Sequence, residues 1–188
     1  MKKFLLIVFL ILFGANTSFA KETDYRQVYM DLQVPAFSYV HGIDPGQYYD
    51  NKNATYSIYP LFKLASPIYF KTVMIVPGYY DLTPTTHKGD PYVLFKQQGV
   101  VRYIIPAYDK ELVPEGFYET HVRQPKLTIM QKMNKNFYTF LGKHFKSTQR
   151  KPAVQTYLEV NDLDNKFVSI IVYYGPYRYY TIFRTVQL

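Results

Sequence analysis

The chain has no cysteine and no tryptophan, and its only long apolar run ends at Phe13. The missing thiol excludes disulfides, cysteine nucleophiles, thiolate metal sites and a lipid anchor on cysteine. A folded domain of this composition must rest on its hydrophobic core alone, as bacterial envelope proteins more often do than animal secretions. No later segment approaches the ~20 apolar residues that a membrane-crossing helix needs. A further gap is local: no Asp or Glu stands between Glu119 and Glu159. The sequence also lacks G-x-S-x-G, H-E-x-x-H and a glycine-rich phosphate loop, so no familiar catalytic motif marks it.

What is present begins with an export signal. Met1-Lys2-Lys3 precedes the apolar run Phe4–Phe13, and small residues follow at Ser18 and Ala20. A basic start, a short apolar stretch and small residues at −3 and −1 predict a cleaved signal peptide over 1–20, cut between Ala20 and Lys21. The remainder, 21–188, is long enough for one domain with a core of its own. The expected location is the periplasm or the outside of a bacterial cell.

Charge is distributed unevenly. The 22 Lys and Arg, less Lys2 and Lys3, against 14 Asp and Glu leave the expected mature chain at +6. Eight basic residues lie in the acid-free stretch: Arg123, Lys126, Lys132, Lys135, Lys143, Lys146, Arg150 and Lys151. A near-neutral body with one positive segment predicts an anionic partner, with a solvated charged face as the plainer reading.

That segment carries the clearest helical pattern. Over 125–146, Leu127, Met130, Met133, Phe137, Phe140, Leu141 and Phe145 fall in one half-circle at 100° per residue, and Lys132, Lys135, Lys143 and Lys146 fall opposite. Its start is either Pro125 in a first turn or a capping box of Thr128 with Gln131. The apolar face is expected to lie on a sheet; the competing arrangement lays it on an anionic membrane.

Elsewhere the pattern is β. Strands are expected at Gln27–Val34, Thr55–Tyr59, Ile68–Val76 and Tyr79–Thr83, with a type II turn at Pro77-Gly78 and a loop at Pro84–Asp90. A hairpin about Gln98-Gly99 would set Phe95 against Arg102 and Leu94 against Tyr103. The connection 106–124 reads as irregular. A C-terminal unit over 154–187 holds a strand from Val154 to Val160 and a hairpin about Gly175-Pro176. That hairpin register sets Val172 against Tyr179 and Val168 against Phe183 on one face. Its other face sets Tyr173 against Arg178 and Phe167 against Arg184 as cation–π pairs. The sum is an α+β fold, an antiparallel domain of about seven or eight short strands with one amphipathic helix packed on it.

Few residues promise chemistry. His144 falls on the apolar side of the helix, while His41, His87 and His121 lack metal-ligand spacing, so no metal or cofactor is expected. Asn161–Asn165 begins like a calcium loop but fails at Lys166 and is read as a turn. Asn53-Ala54-Thr55 matches a glycosylation sequon, read as chance. The 21 tyrosines are read as sheet residues. The sequence therefore predicts an exported, non-enzymatic protein whose site is Lys132, Lys135, Lys143, Lys146, Arg150 and Lys151. Its partner would be anionic lipid, glycan, cell-wall polymer or an envelope protein, and not nucleic acid. An envelope-glycan hydrolase with two carboxylates from distant positions and an eight-stranded outer-membrane barrel are the alternatives.

Overall fold

Two-residue turns with left-handed backbone fold the middle of the chain back on itself. The computed structural model describes residues 23–42, 59–122, 128–144 and 154–187. The expected signal peptide with its cut at Ala20–Lys21, most of the 41–53 loop, the sequon, nearly all of the Thr55–Tyr59 strand, Pro125, and Lys146, Arg150 and Lys151 lie outside these residues.

Ten strands occur among the described residues, rather than seven or eight. Strands β1 (Leu61–Leu64), β4 (Gly78–His87), β5 (Asp90–Gln97) and β6 (Val100–Pro106) form one antiparallel sheet in the order β1-β4-β5-β6. Strands β2 (Ile68–Phe70), β3 (Val73–Ile75), β8 (Thr156–Leu163), β9 (Phe167–Tyr174) and β10 (Tyr177–Arg184) form a second, in the order β3-β2-β10-β9-β8. Strand β7 (Asp109–Leu112) pairs with Tyr177–Tyr180 of β10, on the edge where β2 pairs at Arg184. Among the described residues the strands form two sheets.

The extra strands come from turns that the sequence hid. The stretch Ile68–Val76 is a hairpin, β2–β3, bent at Lys71 with φ 53°. A lysine in that conformation needs support. The Lys71 backbone N–H donates to Tyr29 Oη at 2.6 Å, and its Nζ donates to the Met30 carbonyl at 2.9 Å. No turn forms at Pro77-Gly78; Gly78 opens β4 instead. The expected Pro84–Asp90 loop is mostly strand, with its turn delayed to Lys88 (φ 52°) and Gly89 (φ 99°). Pro84 is tolerated because β1 pairs only with Gly78–Asp81, so β4 is an edge beyond that point. At Gln98-Gly99 the hairpin forms, but a bulge after Phe95 shifts its register. Phe95 therefore faces Tyr103 and Leu94 faces Ile104, not Arg102 and Tyr103.

Among the described residues three α-helices accompany the sheets: α1 (Tyr25–Asp31), α2 (Phe117–His121) and α3 (Ile129–His144). Helix α1 replaces the strand expected from Gln27. Asp24 caps it, accepting from the backbone N–H groups of Arg26 and Gln27 at 3.0 and 3.2 Å. Helix α2 and β7 fill the connection expected to be irregular.

The core lies between the sheets. Val168, Ile170, Val172 and Phe183 from β9 and β10 meet Tyr80, Leu82, Val93 and Phe95 from the first sheet. Phe95 and Phe183 meet edge-on at 5.8 Å. The C-terminal hairpin has the expected register, Val172 against Tyr179 and Val168 against Phe183. The other face of that sheet is covered too: Tyr29 of α1 lies 5.2 Å from Phe167, and Phe117 of α2 stacks on Tyr173 at 4.3 Å. Helices α1 and α2, not α3, lie on this face.

Candidate functional site

Helix α3 starts where a capping box would start it. The Gln131 N–H donates to Thr128 Oγ1 at 3.4 Å, and the Thr128 N–H donates to Gln131 Oε1 at 2.9 Å. Two otherwise orphaned donors are satisfied within four residues, so the helix needs no neighbour to begin. Thereafter no acidic side chain interrupts the lysines.

Its apolar side is largely exposed. Ile129 is 80% exposed, and Met130, Met133, Phe137 and Phe140 are each at least 59% exposed. The packing on a sheet expected of this side is not seen among the described residues. Its Phe/Met side is exposed, while α1 and α2 lie on the outer face of the second sheet. Isolated exposed apolar residues are ordinary, but five on one side of one helix form a patch. Lys132, on the opposite arc, is exposed. Lys135, Lys143 and His144 lie on α3, and the 3.6-residue period puts the two lysines on the arc of Lys132. Of the predicted site, the structure thus places three lysines on one helix; Lys146, Arg150 and Lys151 fall outside the described residues.

A second group of polar residues was not foreseen. Across β7, β10, β9 and β8 the register aligns Glu111, Arg178, Tyr173 and Tyr157 in one row. The next row aligns Asp109, Tyr180, Ile171 and Glu159. Arg178 pairs with Glu111 at 2.6 Å, and Tyr180 Oη donates to the same carboxylate at 2.7 Å. Tyr173 Oη donates to Glu159 at 2.9 Å, and Asn161 Nδ2 donates to its other oxygen, also at 2.9 Å. The guanidinium of Arg178 lies over Tyr180, not over Tyr173 as its register suggested, while Arg184 does lie over Phe167.

These contacts set the electrostatics. The hydrogen bond from Tyr180, with help from Arg178, holds the Glu111 carboxyl below its ordinary range. Burial, followed by the bond to Glu111, pushes the Tyr180 phenol well above its ordinary value. Burial, followed by the bond to Glu159, raises Tyr173. A glycosidase acid needs a carboxyl shifted upward. Glu111 is shifted the other way and suits an ion pair that ties β7 to β10. The signal for this network was only half present in sequence: the hairpin register gives Tyr173 and Arg178, but nothing local brings Glu111 to them.

Two of the histidines are placed as ring partners. His87 stacks on Phe37 at 3.9 Å, and His121 stacks on Phe117 at 4.1 Å. Among the described residues no three His, Asp or Glu side chains gather as metal ligands, and no helix is long and apolar enough to cross a membrane. Compared with known proteins, the chain matches no family model, no curated protein and no solved structure.

Proposed function

We propose that this is an exported, non-enzymatic envelope protein that docks on an anionic membrane surface through α3. The observation that supports this reading is the bare Phe/Met side of a helix whose opposite arc carries only basic charge. Phe137, Phe140, Met130 and Met133 would enter the boundary between headgroups and acyl chains, while the lysines meet phosphates at its edge. Each lysine near such a surface contributes about 1 kcal/mol, and salt weakens that contribution. The basic n-region and apolar run at Met1–Phe13 support export.

The test is sedimentation with phosphatidylglycerol vesicles, with phosphatidylcholine vesicles as the control. The protein is expected to bind the anionic vesicles and to release at raised salt. Lys132→Glu, Lys135→Glu and Lys143→Glu together are expected to weaken binding more than tenfold. Phe137→Ser with Phe140→Ser is expected to weaken it while leaving its salt dependence. Binding that ignores both salt and the charge reversals defeats the reading.

A further inference from the structure

The bulge between β5 and β6 borders a cleft that the helix reading leaves unused. Phe95 pairs with Tyr103 and Lys96 with Val101, so Arg102 is the inserted residue with no partner across the ladder. Bulges re-aim side chains in this way, often beside sites. Arg102 lines an open cleft of about 580 Å³ together with Tyr79, Asp81, Lys96, Gln97 and Gln98. That volume falls within the ~300–1,000 Å³ usual for small-ligand sites.

The walls offer three kinds of contact. Tyr79 is 58% exposed, so its ring is open to a ligand, and Lys63 Nζ stands 6.0 Å from its centroid. No hydrogen bond or ion pair to another described residue engages the Asp81 carboxylate, the Arg102 guanidinium or the Gln97 amide. Gly78 leaves room for the Gln97 amide: a Cβ there would meet Gln97 Nε2 at 2.9 Å. Lys96 is buried, with its Nζ 5.1 Å from the Tyr59 ring, so its charge is fixed at the cleft wall.

An exposed ring, amide and carboxylate acceptors and donors, and an unpaired guanidinium match one ligand chemistry. We propose that this cleft binds a saccharide bearing a carboxylate, with Arg102 on the carboxylate, the Tyr79 ring on the sugar face, and Asp81 and Gln97 on hydroxyls. Arg102 would form paired N–H···O bonds that a lysine could not reproduce. Neutral sugars would keep the stacking and lose that pair. The proposal does not depend on α3.

The test is an amide-shift titration of the labelled protein with trigalacturonate, and with maltotriose as the neutral control. Saturable shifts are expected at 78–81 and 96–102 with trigalacturonate, at an affinity at least tenfold above that for maltotriose. Arg102→Ala is expected to lower the affinity at least tenfold, and Arg102→Lys to recover little of it. Both variants are at an exposed position, and an unchanged melting temperature checks that they fold. Lys132→Glu is expected to change nothing here. Absence of saturable shifts, equal affinity for the two sugars, or wild-type affinity in Arg102→Ala overturns the proposal. Loss of binding in Lys132→Glu alone also overturns it, by assigning the sugar to α3.

Discussion

Phe117 and Phe137 are phenylalanines on two successive helices, and the fold treats them in opposite ways. Phe117 is held between His121 at 4.1 Å and Tyr173 at 4.3 Å, nearly parallel to both rings. Phe137 is 59% exposed. The helices differ in how they obtain their stability. Helix α2 has five residues, far below the ~12–15 at which an isolated helix becomes even marginal. It exists because the sheet holds it: Tyr118 Oη donates to the Gly175 carbonyl at 2.8 Å, while Phe117 lies on Tyr173. Helix α3 has sixteen residues and closes its own first turn with Thr128 and Gln131. A helix that caps itself can leave its apolar side free for another surface; one that borrows its stability cannot.

The largest effect that tests this contrast comes from paired truncations. Phe117→Ala removes a stacked, half-buried ring and is expected to cost about 1–3 kcal/mol of global stability in urea unfolding. Phe137→Ala is expected to fall within ~0.5 kcal/mol of the parent, as exposed substitutions do. Equal losses for the two would show that α3 is covered in solution and would end the comparison.

The two helices were unequally legible. The Thr128/Gln131 box is a local signal, and it marks the start of α3 in sequence and structure alike. The amphipathic pattern of α3 shows that its apolar side wants a partner; it does not say which, and Tyr29 and Phe117 already lie on the outer face of the second sheet. Helix α2 has no pattern at all, because five residues carry less than two turns of period. Strand β7 was hidden for a related reason. All four of its residues are exposed, and its place is set by β10, some seventy residues on, through the pairing of Glu111 with Arg178. The C-terminal hairpin was readable to the residue because Gly175-Pro176 fixes its register locally. The Gln98-Gly99 hairpin was not, because a bulge has no simple sequence signature, and that bulge is what frees Arg102. The cleft around Arg102 was thus as invisible in sequence as the Glu111 network.

A smaller effect sharpens the claim that α3 supports itself. Thr128→Ala deletes the side-chain half of the capping box, worth about 1 kcal/mol. The loss is expected to stay local: amide exchange across α3 should speed up several-fold, while the urea midpoint of the β-sheets stays put. A matching drop in the global midpoint would mean that α3 is coupled to the sheets after all.

The smallest expected effect lies on the docked side of the comparison, in the pH response of Glu111. Its folded carboxyl value is depressed, first by the Tyr180 hydrogen bond and then by Arg178. The unfolded chain therefore binds this proton at a higher pH, near ~4.3, than the folded one does. The stabilising contribution is complete above that value and disappears as pH falls through the lower folded value. Glu111→Gln keeps the shape and removes the charge. The variant should be less stable than the parent near neutrality, and the gap should close as the pH drops below ~4. Because the Glu111 side chain is 44% exposed, water screens the pair and the gap is modest. The helical signal of α3 should not follow this titration. If the gap between the two proteins is instead constant down to acid pH, then Arg178 and Tyr180 do not hold Glu111 ionised, and β7 stays on β10 through its backbone ladder alone.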